Sequence, residues 1–158
     1  MPLFRAFAPL FCALALNATC NAGERVVFDV YAKGYFVKNN APLPGNPTFL
    51  VLNDKKSFDR IFGIGLVMGT KPKLVDEKLF EKNLIVTTIK SGNAFWKYDV
   101  GSVTIDKERL IIAYKVTAKE SPSAKFTVPL IVSVPRGDYT EIVFIENDKE
   151  VSKLPVKK

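Results

Sequence analysis

The chain has no histidine among its 158 residues, and its two cysteines, Cys12 and Cys20, both fall in the first twenty. Without imidazole the commonest general base, the commonest neutral metal ligand and every histidine-dependent triad are missing. Zinc sites of the Cys/His kind are excluded for the same reason. The apolar run at the start, Ala6 to Leu16, is about eleven residues long, too few to cross a hydrocarbon layer of roughly 30 Å. It serves as an export tag instead of an anchor.

The rest of the N-terminus agrees. Arg5 and the free amino group supply a positive start, and Cys20-Asn21-Ala22 places small residues where a signal peptidase reads. The expectation is a signal peptide over residues 1–22, cleaved near Ala22, and a secreted or periplasmic protein. The alternative is a lipoprotein lipidated at Cys20, against which Asn17 stands where an aliphatic residue is usual. Asn17-Ala18-Thr19 matches the glycosylation triplet but lies inside the tag.

Residues 23–158 then form one domain's length of chain, enough for a sizeable core. Both cysteines leave with the tag, so stability in an oxidising compartment must come from packing and not from disulfides. The sequence carries 23 basic and 16 acidic residues. Arg5 is the only charged residue of the tag, so the body keeps a net charge of about +6. Its lysines are scattered, with tight pairs only at Lys55-Lys56 and Lys157-Lys158. That spacing describes a solvated surface and gives no footprint for nucleic acid.

Along the body, Val26 to Tyr31 alternates as a strand, with Tyr35-Phe36-Val37 as its continuation or hairpin partner. Asn39 to Pro47 holds three prolines and a glycine, hence a loop. Thr48 to Leu52 is a short strand. Asn53 or Asp54 caps a helix whose Phe58, Ile61 and Phe62 form one apolar stripe, ended by Gly63 and Gly65. Ile64 to Met68 has no clear assignment, Lys71-Pro72 turns the chain, and Asp76 to Lys82 makes a shorter helical turn. Strands follow at Leu84–Lys90, Phe95–Ile105 (bent at Gly101), Arg109–Thr117, Lys125–Val134, Thr140–Ile145 and Glu150–Leu154. Pro129 within its strand argues for an edge or a bulge. The expected fold is α+β and β-rich: an antiparallel meander of about seven to nine strands with one main helix on one face. Residues 23–47 would be an N-terminal strand and proline-rich loop joined to a β-rich domain over 48–158, with 23–158 one folded unit.

Phe95-Trp96-Lys97-Tyr98 is the candidate partner or ligand surface. Alternation puts Trp96 and Tyr98 on one face and Phe95 and Lys97 on the other. An aromatic pair beside a lysine suits a sugar ring or a docked peptide, whereas the plainer reading has both aromatics covering the core and Lys97 in solvent. Asp76, Glu77 and Glu81 lack calcium-loop spacing, and Asp138 and Glu141 merely flank a strand start. Gly63-Ile64-Gly65 is no phosphate loop. Ser91, Ser121 and Ser133 sit in no nucleophile elbow. No catalytic, cofactor-binding or metal-ligating residue is expected.

From Thr48 onward the order of features resembles the C-terminal domain of the PrcB family, bacterial protease-complex stabilising proteins. The residues that carry it are Ser57 to Phe62, Phe80 to Val86, Ser91-Gly92 to Tyr98-Asp99-Val100, and Thr127 to Arg136 (TVPLIVSVPR), over roughly 48–146. The family's Gly-Gly-Tyr-like turn is replaced by Gly92-Asn93-Ala94-Phe95. The resemblance implies an exported, non-catalytic accessory domain that binds or stabilises another exported or envelope protein, such as a protease. The alternatives are a carbohydrate- or envelope-binding module using Trp96 and Tyr98, and an enzyme using carboxylates or a serine–lysine pair.

Overall fold

The structure is a computed structural model that describes residues 23–31, 33–65 and 73–156. The signal peptide expected over residues 1–22 and the turn expected at Lys71-Pro72 lie outside these residues. In chain order the elements are β1 (Glu24–Arg25), β2 (Asp29–Val30), β3 (Tyr35–Val37), β4 (Thr48–Leu52), α1 (Lys55–Ile61), β5 (Phe62–Ile64), α2 (Leu79–Lys82), β6 (Asn83–Gly92), β7 (Ala94–Asp106), β8 (Arg109–Glu120), β9 (Phe126–Pro135), β10 (Glu141–Glu146) and β11 (Lys149–Pro155).

Three sheets result, with strand orders β1-β7-β8-β10-β11, β2-β9-β6-β4 and β3-β5. The four-stranded sheet is the middle layer. Leu84 and Val86 of β6, with Leu130, Val132 and Val134 of β9, meet Val103, Leu110, Ile112, Ile142 and Phe144 of the five-stranded sheet. The intervening residues Ile85, Ile89 and Ile131 point the other way, into a second cluster with Phe58 and Ile61 of α1, Phe80 of α2 and Phe62 of β5. Strands buried on both faces read as continuous apolar runs. Hence every position from Leu84 to Ile89 is buried.

The β-rich character and the antiparallel pairings agree with the sequence, but the strands do not follow one another as a single meander. The chain shuttles between the two large sheets: β6 in one, β7 and β8 in the other, β9 back beside β6, and β10 beside β8. Because β9 intervenes in the opposite sheet, β10 returns parallel to β8, with Glu141 opposite Arg109. The described residues hold eleven strands, the extra ones being short pieces at the edges. Val26 to Tyr31 is not one strand, because the chain crosses there from the edge of one sheet to the edge of the other. β1 pairs with β7 and β2 with β9. Val26 and Phe28 therefore enter the inter-sheet core, Tyr31 enters the second cluster, and Val30 is left exposed. β3 pairs with β5 and not with the first strand. All three N-terminal strands thus pair with strands from later in the chain.

Local chemistry explains the boundaries. Asp54 caps α1, its carboxylate accepting from the Ser57 backbone N–H at 2.7 Å and from the Ser57 hydroxyl at 2.8 Å. Those bonds hold the Asp54 carboxyl below the usual carboxylate range. The helix stops at Ile61, one residue short of the expected stripe, because Phe62 already pairs with Val37. Asn147 and Asp148 both adopt positive φ, 48° and 65°, the two-residue turn that suits the twist of a β10–β11 hairpin. Tyr139, buried just before β10, donates its hydroxyl to the Pro135 carbonyl four residues upstream, fixing the corner where the chain changes sheets. Arg136 donates to the carbonyls of Phe80 (3.0 Å) and Asn53 (2.6 Å), tying both helical segments to the end of β9.

Phe58 is 1% exposed and stacks on Tyr35, Phe62 and Phe80. Phe58→Ala should cost about 3–5 kcal/mol in chemical denaturation. Asp54→Ala should cost about 1 kcal/mol. Comparable small losses for both would show that α1 is not anchored through this stripe.

Candidate functional site

The candidate residues lie in the first half of β7, where burial alternates residue by residue. Phe95 and Lys97 face outward and Trp96 and Tyr98 inward, as the strand period requires. Trp96 rests over Gly92, where an added Cβ would come within 3.2 Å of the indole. Tyr98 donates to the Val128 carbonyl at 3.2 Å and packs its ring 6.0 Å from that of Tyr114. These two aromatics therefore belong to the closure between the sheets. Phe95 stays 49% exposed, its ring edge-on to Phe126 at 5.6 Å.

Across the β7–β8 ladder, Phe95 stands opposite Lys119, Lys97 opposite Thr117 and Asp99 opposite Lys115. β10 reaches only as far as Tyr114, so this part of the sheet is a two-stranded ribbon. Among the described residues Lys97, Lys115 and Lys119 make no ion pair. Two shallow depressions of about 370 Å³ each meet at Asp99 and Lys115, one floored by Gly101 and Ala113 and the other flanked by Lys97 and Thr117. A β-bulge at Gly101 bends the strand there, as the glycine led one to expect.

Beneath the ribbon lies a polar group that the sequence did not single out. Lys90 of β6 and Glu146 of β10 form an ion pair of 2.5 Å across the two sheets, with side chains only 17% and 15% exposed. The Tyr114 hydroxyl donates to the other Glu146 oxygen at 3.2 Å. Burial pushes the Tyr98 and Tyr114 phenols well above their ordinary value, and the charge of Glu146 pushes them further. Burial likewise raises Tyr139 to about 12, against a smaller opposing effect of Arg136. One trace of the pair was legible: Leu84, Val86, Thr88 and Lys90 share a face, so a lysine occupies an inward position. Its partner, 56 residues away, was not.

The remaining candidates are dispersed. Asp76 accepts from the Leu79 N–H at 2.9 Å just ahead of α2, while Glu77 and Glu81 are exposed. Ser91 pairs its hydroxyl with Thr127, and buried Ser133 accepts from the Asn83 amide. Asp138 is exposed before β10 and Glu141 lies within it. Among the described residues no three His, Cys, Asp or Glu side chains gather as metal ligands, and no helix is long and apolar enough to cross a membrane. No family model, curated protein or solved structure matches the chain.

Removing one partner of a screened ion pair leaves a buried charge, whereas replacing both can be nearly neutral. Glu146→Leu should therefore cost about 2–3 kcal/mol, and Lys90→Met with Glu146→Leu should recover most of that loss. Additive losses in the double variant would show that the two groups act independently.

The raised phenols set an alkaline limit. Above about pH 10 the unfolded chain gives up phenolic protons that the folded protein keeps, so stability falls as pH rises. Tyr114→Phe should cost about 1 kcal/mol at pH 8, and that cost should shrink at pH 11 because the variant lacks one buried phenol. A cost that stays constant or grows with pH would contradict burial as the cause.

Proposed function

We propose that the chain is an exported, non-catalytic accessory domain that works through protein–protein contact, with the outer face of the β7–β8 ribbon as its contact surface. The observation that carries this reading is the exposed Phe95 set among Lys97, Lys115 and Lys119 on a face with no covering layer among the described residues. An aromatic anchor inside a rim of unpaired cations is the composition of a contact surface, in which the aromatic supplies desolvation and the charges supply orientation. The resemblance to the PrcB family supports a partner that is itself exported, such as a protease, and the expected leader supports cleavage near Ala22 into the secreted or periplasmic space.

The carbohydrate reading loses its basis at Trp96 and Tyr98, which turn inward, and keeps only Phe95 as an outward aromatic on β7. Among the described residues the carboxylates and serines that motivate the enzyme reading are dispersed.

A photo-crosslinking residue at Lys119 should capture a single partner from the exported fraction, and Lys115→Glu with Lys119→Glu should cut that capture about tenfold or more. The same capture from position 81, on the helical side, would place the contact elsewhere. Mass spectrometry should find the mature protein beginning at Gly23.

A further inference from the structure

The free edge of β7 has a second property, independent of its outer face. β1 pairs with β7 at Thr104 and Ile105, with one further backbone bond from the Val26 N–H to the Val103 carbonyl, so among the described residues no strand pairs with Ala94 to Ser102 on that side. Which backbone groups point to the open side follows from the far side of β8. Val116 donates its N–H to the Asn147 side-chain oxygen at 2.9 Å and accepts from the Asn147 amide at 3.3 Å. Both polar groups of Val116 thus point away from β7, and its partner Tyr98 occupies a non-hydrogen-bonded site of that ladder. The N–H and C=O of Tyr98, and by alternation those of Trp96 and Val100, therefore face the open edge.

We infer that this edge pairs with the same edge of a second copy of the chain, antiparallel, about a two-fold axis at Tyr98. The register is set by charge. With Tyr98 opposite itself, Lys97 stands opposite Asp99 of the other copy, and Asp99 opposite its Lys97. Phe95 falls opposite Gly101, where a ring covers a position that has no side chain of its own. Trp96 stands opposite Val100 on the inner side. Tyr98 with its symmetry mate, and Trp96 with Val100 twice over, each exchange two backbone hydrogen bonds, as hydrogen-bonded pairs of an antiparallel ladder do. A two-fold interface requires one patch to complement itself, and the span from Phe95 to Gly101 does so in backbone phase, charge and bulk together.

The charges that favour this pairing also limit others. Lys97 and Asp99 on an edge strand discourage indiscriminate strand addition, and a shift by two residues sets Lys97 opposite Lys97 or Asp99 opposite Asp99. The dimer would join the two five-stranded sheets into one, with the lysine-rich outer faces side by side.

The test is sedimentation equilibrium of the protein alone. The protein should dimerise, and Lys97→Asp alone or Asp99→Lys alone should each weaken the dimer about tenfold or more, because both charge pairs become repulsive. An equimolar mixture of the two single variants should recover the wild-type dimer as a heterodimer, and the double swap Lys97→Asp with Asp99→Lys should recover it as a homodimer. Recovery by mixing also shows that each variant is folded. Amide exchange adds a readout: Trp96, Tyr98 and Val100 should gain protection on dimerisation and lose it on dilution, while Lys97 and Asp99 stay protected by β8. A protein that remains monomeric near 0.1 mM, a dimer indifferent to both single variants, or a mixture that fails to re-associate overturns the inference.

Discussion

The structure depends on the burial of one sheet from both sides. β6 and β9 carry large aliphatic residues at successive positions, and such strands cannot rest with either face in water. The five-stranded sheet takes one face and the α1–α2–β5 layer takes the other. Every other feature answers this demand. The crossings of the chain between sheets, the parallel return of β10, and the Arg136 ties between β9 and the helical layer all hold a three-layer stack around a central sheet.

The cost of that arrangement shows in its polar residues. Thr87 and Thr88, on opposite faces of β6, bury hydroxyls that meet no hydrogen-bond partner among the described residues. Lys90 extends the same inward face one step further, where only Glu146 in the opposite sheet makes its charge tolerable. The pair and Tyr114 close the inter-sheet core beneath the β7–β8 ribbon and leave the ribbon's outer face free to carry contacts without disturbing the interior.

Asn147 links these two regions. Its side chain continues the β10 ladder one step along β8 after the backbone has turned away at positive φ. That amide occupies the outward backbone groups of Val116, and through the β7–β8 ladder it marks the backbone phase of β7 at the point where the edge is open.

The strands and turns were legible because period-two alternation, an Asp cap and an Asn-Asp turn act within a few residues of themselves. The inward turn of Trp96 and Tyr98 belongs to the same class, since alternation alone splits them from Phe95 and Lys97. The split of Val26 to Tyr31 between two sheets, the pairing of β3 with β5, the helix ending before Phe62 and the Lys90–Glu146 bridge were not legible. Each of these is decided by a neighbour far along the chain, and local propensity carries no record of it. Sequence determined which residues seek burial and which face of each strand they share. Only the tertiary structure decided which sheet receives them, because that choice is made by the volume and polarity of whatever packs opposite.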